Sequence, residues 1–157
     1  MKNIKSKIPS GFTLIELLVV VSIISMLATI ILTSTKMLFD KGKDSAIRYN
    51  MANLLTQASI YTLNTGYYDG FCADSSANVF ISEINKLAPS SYAVLCSCNT
   101  GSCPAGAKAT TWCSSIKLNR IDVAYKNRNF VFCVDSTGKK IESAKVTCAN
   151  GSCVMGI

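Results

Sequence analysis

A single carboxylate, that of Glu16, lies inside the longest apolar segment of the chain. Residues 12–35 carry no other charged side chain, and as an α-helix they would extend roughly 36 Å, enough to cross a bilayer core of about 30 Å. A carboxylate at that depth is costly unless a partner compensates its charge. A cut between Gly11 and Phe12 would create such a partner, because the new α-amino group would lie one helical turn from Glu16. The sequence therefore predicts processing at Gly11 and Phe12, and an assembly role for Phe12 and Glu16 within one chain or between neighbouring chains.

The residues around this segment favour a membrane span with a cytoplasmic N-terminus. Lys2, Lys5 and Lys7 precede the span, and no acidic residue accompanies them. A secretory signal peptide is one alternative, but no small-residue cleavage pattern follows the apolar run before Lys36. A buried core helix is the alternative for the segment, and a tolerated charge near the membrane interface is the alternative for Glu16.

The composition indicates a folded, non-enzymatic protein. Of the 157 residues, 49% are apolar and 16% are charged, which excludes a disordered chain, and the net charge is +7. Histidine, the commonest general base and metal ligand, is absent, as are phosphate-loop, nucleotide-binding and hydrolase motifs. Asp69, Asp74 and Asp135 could offer oxygens to calcium, but no EF-hand spacing supports that site. We expect no catalysis, no cofactor and no metal.

The eight cysteines all follow the apolar segment and predict disulfides on an oxidising side of the membrane. Two stretches share one spacing, CNTGSC at residues 98–103 and CANGSC at residues 148–153, and they predict local bridges Cys98–Cys103 and Cys148–Cys153. Two longer-range bridges would then join the remaining four, which are Cys72, Cys96, Cys113 and Cys133. A four-thiolate zinc site is the alternative, but the spacing between residues 96 and 113 does not fit paired C-x2-C knuckles.

Basic residues cluster in the last third of the chain and make DNA a candidate partner. Aromatic residues Tyr125, Phe130 and Phe132 alternate with them. A basic strand face could hold phosphates without sequence specificity. A solvated sheet face with the aromatic rings in the core is the favoured alternative. The basic residues of this candidate nucleic-acid patch are Lys117, Arg120, Lys126, Arg128, Lys139 and Lys140, with Lys145 nearby.

The remaining pattern predicts an α+β fold. Apolar residues recur at helical spacing from Ile47 to Tyr61, with Gly42 as a candidate bend and Asn64-Thr65-Gly66 as the stop of the helix. A short helix is expected around residues 82–87, ending before Pro89. Short turns between β-rich segments indicate antiparallel hairpins in a sheet of three or four strands. The candidate strands are residues 92–96, 121–126, 129–134 and 139–143.

The stretch GFTLIELLVV at residues 11–20 resembles the prepilin cleavage motif of type IV pilins and pseudopilins. The resemblance implies a pilin fold, in which a long helix packs on a small antiparallel sheet. It also implies cleavage after Gly11 by a prepilin peptidase, N-methylation of Phe12, and a contact between Glu16 and the Phe12 amine of an adjacent subunit. Other pilin subunits, an assembly platform and a motor would be the partners.

These expectations give a domain plan and a function. Residues 1–11 would be a leader peptide, 12–35 a transmembrane and assembly helix, and 36–157 an extracytoplasmic domain with a helix over 36–64 and sheet and disulfide loops over 65–157. The function expected is that of a type IV pilus or pilin-like filament subunit in the cytoplasmic membrane, then in a cell-surface filament. The alternatives are a pseudopilin of a type II secretion system, a minor pilin that binds DNA or a surface, and a membrane-anchored domain that never polymerises.

Overall fold

The computed structural model describes residues 11–122 and 128–156, without the side chains of residues 32–34 and 122. The chain divides into two units, Met1–Leu38 and Phe39–Ile157. Helix α1 runs over Leu14–Thr65, a short 3-10 turn over Phe71–Ala73 and helix α2 over Ser75–Leu87. The strands are β1 Leu95–Cys98, β2 Trp112–Asp122, β3 Arg128–Asp135, β4 Lys140–Ser143, β5 Val146–Ala149 and β6 Ser152–Met155.

In the first unit, the beginning of α1 exposes apolar side chains on every side. The exposed fraction reaches 82% at Leu14 and is still 47% at Val20 and 65% at Ile31. An 18-residue window of the helix has a mean hydropathy of 2.7, and none of the window is buried. Length and composition therefore suit the membrane anchor of a pilin-like protein, since so much exposed apolar surface needs lipid or other helices to cover it.

In the second unit, the later part of α1 packs on a four-stranded antiparallel sheet. Ile47, Met51, Leu54 and Ala58 are almost completely buried, which confirms the apolar stripe predicted from the sequence. The helix continues through Gly42 to Thr65, and Gly66, at φ 81°, ends it in the left-handed conformation. The fold is thus the predicted α+β, pilin-like arrangement.

The order of the sheet is β1-β2-β3-β4, and alternate residues of its strands face opposite sides. Trp112, Ser114 and Ile116 of β2 face α1, and the Ser114 hydroxyl lies 3.9 Å from the Met51 sulfur. The intervening residues Cys113 and Lys117 face away from α1. The prediction that this strand begins at residue 121 was wrong, because buried Ser114 and Ser115 hide the apolar alternation. The rest of the predicted strand, from residue 123, lies outside the described residues.

Four other elements differ from their predicted bounds. Strand β1 begins at Leu95 rather than at residue 92, while β3 and β4 lie within a residue of their predictions. Helix α2 ends before Pro89 as predicted, but it begins earlier, because the Asp74 carboxylate accepts a hydrogen bond from the Ser76 N–H (2.9 Å) and caps it.

The hairpin of β5 and β6 covers part of the sheet face opposite α1 and was not predicted. Its turn is the Asn150-Gly151 pair, with φ values of 49° and 72°. Cys148 and Cys153 point to the sheet and form a second buried cluster with Cys113, Cys133 and Val146. The second unit therefore has three layers, which are helix, four-stranded sheet and hairpin.

A buried carboxylate joins α1 to the sheet. Asp44 of α1 is only 2% exposed, and it accepts hydrogen bonds from the Asn119 N–H (2.7 Å) and the Arg120 N–H (3.1 Å) of β2. Those residues lie where the pairing of β2 with β3 shifts between Lys117 and Ile121. The burial of Asp44 has a physical reason, since the carboxylate satisfies backbone groups that the shifted register leaves unpaired.

Candidate functional site

The N-terminal end of α1 holds the Glu16 carboxylate in a capping box. Thr13 is the residue before the helix, and its N–H and its hydroxyl both donate to Oε2 of Glu16, at 2.9 and 2.7 Å. In return the Glu16 N–H donates to the Thr13 hydroxyl at 3.4 Å. Thr13 was not singled out in the sequence, although the spacing Thr-x-x-Glu at the start of an apolar run is the signal of this motif.

The capping box uses one of the two carboxylate oxygens of Glu16. Both hydrogen bonds from Thr13 end on Oε2, and within the described part of the chain no hydrogen-bond partner is found for Oε1. The carboxylate also lies in the first turn of α1, where the helix dipole favours negative charge. Glu16 is thus held in place by its own chain while one of its oxygens can accept from another group.

Gly11 and Phe12, the predicted processing residues, precede the first helical residue, Leu14. The Phe12 side chain is 81% exposed. Phe12 and Glu16 line one shallow apolar surface with Val19 and Val20. The peptide bond between Gly11 and Phe12 therefore lies in exposed backbone outside the helix, where a peptidase can reach it.

All eight cysteines form disulfides. The predicted local bridge Cys98–Cys103 is present. Cys72–Cys96 is a longer-range bridge between two of the four cysteines expected to form such bridges. The predicted Cys148–Cys153 bridge was wrong, and so was the expectation that Cys72, Cys96, Cys113 and Cys133 form two bridges among themselves, because Cys113 and Cys133 pair with the two hairpin cysteines. The bridges on the hairpin are Cys113–Cys148 and Cys133–Cys153.

The hairpin explains why the same cysteine spacing gives a local bridge at residues 98–103 but two bridges to other strands at residues 148–153. Cys148 and Cys153 are directly opposite each other in β5 and β6, and both side chains face the sheet. Each then reaches a different strand, Cys113 in β2 or Cys133 in β3. In the 98–103 stretch a tight loop with Gly101 at φ 101° brings the two cysteines of the same stretch together instead.

The sulfur atoms of Cys72, Cys96 and Cys103 lie close together beside Trp112. The Sγ atoms of Cys72 and Cys103 are 3.2 Å apart, and the Trp112 indole N–H points to Cys96 Sγ at 3.1 Å. Cys72, Cys96 and Cys103 could by distance surround a metal ion. Because each is already bonded in a disulfide, none offers a thiolate, and the zinc alternative does not hold for this structure.

The three aspartates considered for calcium each accept hydrogen bonds from protein N–H groups. Asp74 caps α2, and the hydrogen bonds from Ser76 lower the pKa of its carboxyl group. Asp69 accepts from the backbone N–H of Lys108 and Ala109 at 2.7 and 2.6 Å. Asp135 accepts hydrogen bonds from the backbone N–H groups of Thr137 and Cys153. Their acceptor oxygens are used in turns and caps, and the three do not converge on a common point.

The structure divides the candidate nucleic-acid patch over both sides of the sheet. On the α1 side, Arg120 pairs with Glu142 and lies over the Phe130 ring, 4.3 Å from its centroid, and Arg48 of α1 shares the same carboxylate. Lys117 and Arg128 line a groove on the other side. Lys139 lies in the turn before β4 and Lys140 at the start of β4, while Lys126 and Tyr125 lie outside the described residues. Phe132 is buried in the core, as the alternative interpretation expected.

An apolar helix whose later half packs on a small antiparallel sheet defines a pilin-like α+β protein. The chain carries, at residues 8–32, the prokaryotic N-terminal methylation motif, which is the signature of type IV pilins and pseudopilins. This match includes Gly11, Phe12 and Glu16. The motif belongs to structural proteins rather than enzymes, and it implies association with a membrane and assembly with other pilin subunits.

Comparison of the whole chain adds no further relative. No curated protein and no solved structure matches it significantly.

Proposed function

We propose that the chain is the precursor of a structural subunit of a type IV pilus or a related pilin-like filament. It is processed after Gly11 and assembles through its N-terminal helix. The observation that carries this proposal is the geometry at the start of α1, within the methylation motif. There an exposed Gly11–Phe12 bond precedes a carboxylate that its own chain fixes through one oxygen.

Processing changes the charge balance of the helix end. Before cleavage, the described residues offer Glu16 the dipoles of Thr13 and of the helix N-terminus but no cation. Removal of residues 1–11 leaves an α-amino group on Phe12, which a methyl group modifies without removing its charge. In a neighbouring subunit that amine can reach Oε1 of Glu16, and the ion pair forms in apolar surroundings, where an unpaired charge of either sign is costly.

The exposed apolar surface of α1 supplies the second contribution to assembly. In the membrane, lipid covers the side chains from Leu14 to Ile31. In a filament, other copies of the helix would have to cover them, because water cannot replace lipid without a large cost in hydrophobic free energy. The charge pair then sets the axial position of one helix relative to the next.

The remaining expectations belong to this proposal. Lys2, Lys5 and Lys7 place the N-terminus in the cytoplasm, so residues 36–157 lie outside the cytoplasmic membrane, where disulfides form. A prepilin peptidase, an assembly platform and a motor are the partners, and the role is not enzymatic. A pseudopilin of a type II secretion system has the same motif, and electron microscopy of surface fibres distinguishes the two.

The test is the isosteric substitution Glu16→Gln in cells that produce the protein. We expect normal insertion and cleavage but at least about a tenfold loss of assembled subunits, measured by shearing and immunoblotting, because glutamine cannot form the ion pair. Thr13→Val is the matched control. It removes the capping hydroxyl and keeps the carboxylate, so it should reduce assembly much less. Assembly of Glu16→Gln at the normal level would contradict the proposal.

A further inference from the structure

The sheet face opposite α1 carries an open groove beside the β5–β6 hairpin. It encloses about 650 Å³. Strands β2 and β3 form its floor, the segment before β1 forms one side, and the hairpin forms the other. Its lining includes Tyr92, Leu95, Ser115, Lys117, Val131 and Val146. The groove exists because the hairpin is shorter than the strands that it covers, so part of this sheet face has no other described residues above it.

The groove is cationic. Lys117, Arg128 and Lys145 all line it, and none of its described lining residues is acidic. On the other side of the sheet, Glu142 pairs with both Arg48 and Arg120. Lys117 is also held in place, with its Nζ 3.7 Å from the centroid of the Tyr92 ring. A ligand that enters this groove therefore meets positive charge at a fixed position.

The shape and the remaining lining restrict the ligand further. The enclosed volume is that of a site for a small molecule or one flexible chain, and it is too small for a duplex. Ser115, Thr147 and Asn129 add hydroxyl and amide groups beside apolar Leu95 and Val131. Lysine covers one face of the only aromatic ring in the described lining, which leaves less surface for stacked bases than a single-strand binding site has.

From the charge, the volume and the mixed polar and apolar lining, we propose that this groove binds an acidic polysaccharide. The carboxylates of such a chain pair with Lys117 and Lys145. Its ring C–H groups contact Leu95 and Val131, and its hydroxyls bond to Ser115 and Thr147. This binding does not depend on filament assembly, so it can be measured on the unassembled chain.

The probe is a short fluorescent oligogalacturonate, titrated against the full chain in detergent micelles and followed by anisotropy. The control ligand is the same oligomer with its carboxyl groups reduced to alcohols. We expect saturable binding of the acidic oligomer only. Lys117→Gln and Lys145→Gln should each weaken this binding by about tenfold, because each removes one charge-assisted contact. Lys139→Gln removes the same charge from the turn before β4, outside the groove, and should leave binding unchanged.

Four results would overturn the proposal. They are no saturable binding, equal binding of the reduced oligomer, an equal effect of Lys139→Gln, and tighter binding of a single-stranded oligodeoxynucleotide of the same charge, which would assign the groove to nucleic acid. Trp112 fluorescence and the mass of the unreduced chain verify folding of each variant. If Lys117→Gln does not fold, Lys145→Gln still decides the matter, since its side chain is exposed.

Discussion

At the scale of single residues, Asp135 shows how a turn residue becomes part of the core. It is the last residue of β3 and precedes a Ser-Thr-Gly turn, so the sequence suggests a surface acid. In the structure it is fully buried. One carboxylate oxygen accepts from the Thr137 hydroxyl, at 2.6 Å, and from the N–H groups of Thr137 and Lys139. The other oxygen accepts from the Cys153 N–H of the hairpin. Burial by itself raises the pKa of Asp135, but these hydrogen bonds outweigh it and hold the pKa below its ordinary value.

This lowered pKa has a definite consequence for stability. An aspartate whose pKa is lower in the folded state stabilises the fold above its unfolded pKa of about 3.9, and this contribution is lost as the pH falls through the lower folded pKa. We expect Asp135→Asn to reduce the free energy of unfolding at pH 7 by about 1–3 kcal/mol, because the amide nitrogen cannot accept from a buried N–H. The difference from wild type should shrink as the pH falls below about 4.

The measurement is urea unfolding in detergent with the disulfides intact, followed by Trp112 fluorescence. Glu83→Gln is the control, since Glu83 forms only an exposed ion pair with Lys86 and should change stability by less than about 0.5 kcal/mol. A loss at Asp135→Asn that is the same at every pH would refute the role given to its charge.

The residues of the candidate assembly site could be found from the sequence, whereas those that stabilise the fold could not. Gly11, Phe12 and Glu16 lie within six positions, and their meaning depends on local spacing in an apolar run. Thr13 could also have been identified from the capping-box pattern. Asp44 accepts hydrogen bonds from residues of β2 that are distant in sequence, and one donor to Asp135 is the Cys153 N–H of the hairpin; no local pattern reports these contacts between elements.

At the scale of elements, the β5–β6 hairpin is where sequence patterns were least informative. Each strand has only four residues, and serine, threonine and cysteine occupy positions where an apolar alternation would have been recognised. The Asn150-Gly151 turn was visible, but not the surface on which the hairpin packs. That packing depends on two disulfides to different strands, and cysteine spacing alone cannot choose among pairings.

The tip of this hairpin offers a matched pair of glycine substitutions. A Cβ at Gly151 would contact Thr111, lying 2.6 Å from its carbonyl oxygen, whereas a Cβ at Gly138 would meet nothing within 4 Å. Both glycines have positive φ, 72° and 84°, so alanine costs about 1–2 kcal/mol of backbone strain at either position. Gly151→Ala should lose about 1–3 kcal/mol more, because the hairpin must move away from the sheet.

Thermal unfolding of the two variants, with Trp112 fluorescence as the signal, makes the comparison. A lower melting temperature for Gly151→Ala than for Gly138→Ala is the expected order. Equal melting temperatures would mean that the hairpin tip does not pack on Thr111.

At the scale of the whole molecule, the division of α1 between two environments was predictable from the sequence. Its first part is apolar on every side and packs on no other described residues of its unit, while its later part has one apolar stripe and a sheet beneath it. Such a helix is far longer than a compact domain uses, and its first part needs lipid or sister helices. The third layer of the second unit and the groove beside it were not predictable, because both follow from the placement of the hairpin.

The central claim is that the working form of the protein begins at Phe12. Mass spectrometry of the unreduced chain, purified from the membranes of cells that produce it, tests this claim directly. We predict an N-terminal methylated Phe12 and a mass eight hydrogens below that of the reduced chain, two for each of the four disulfides. A mature chain that still begins at Met1 would contradict the account, because the amine proposed to pair with Glu16 would then never form.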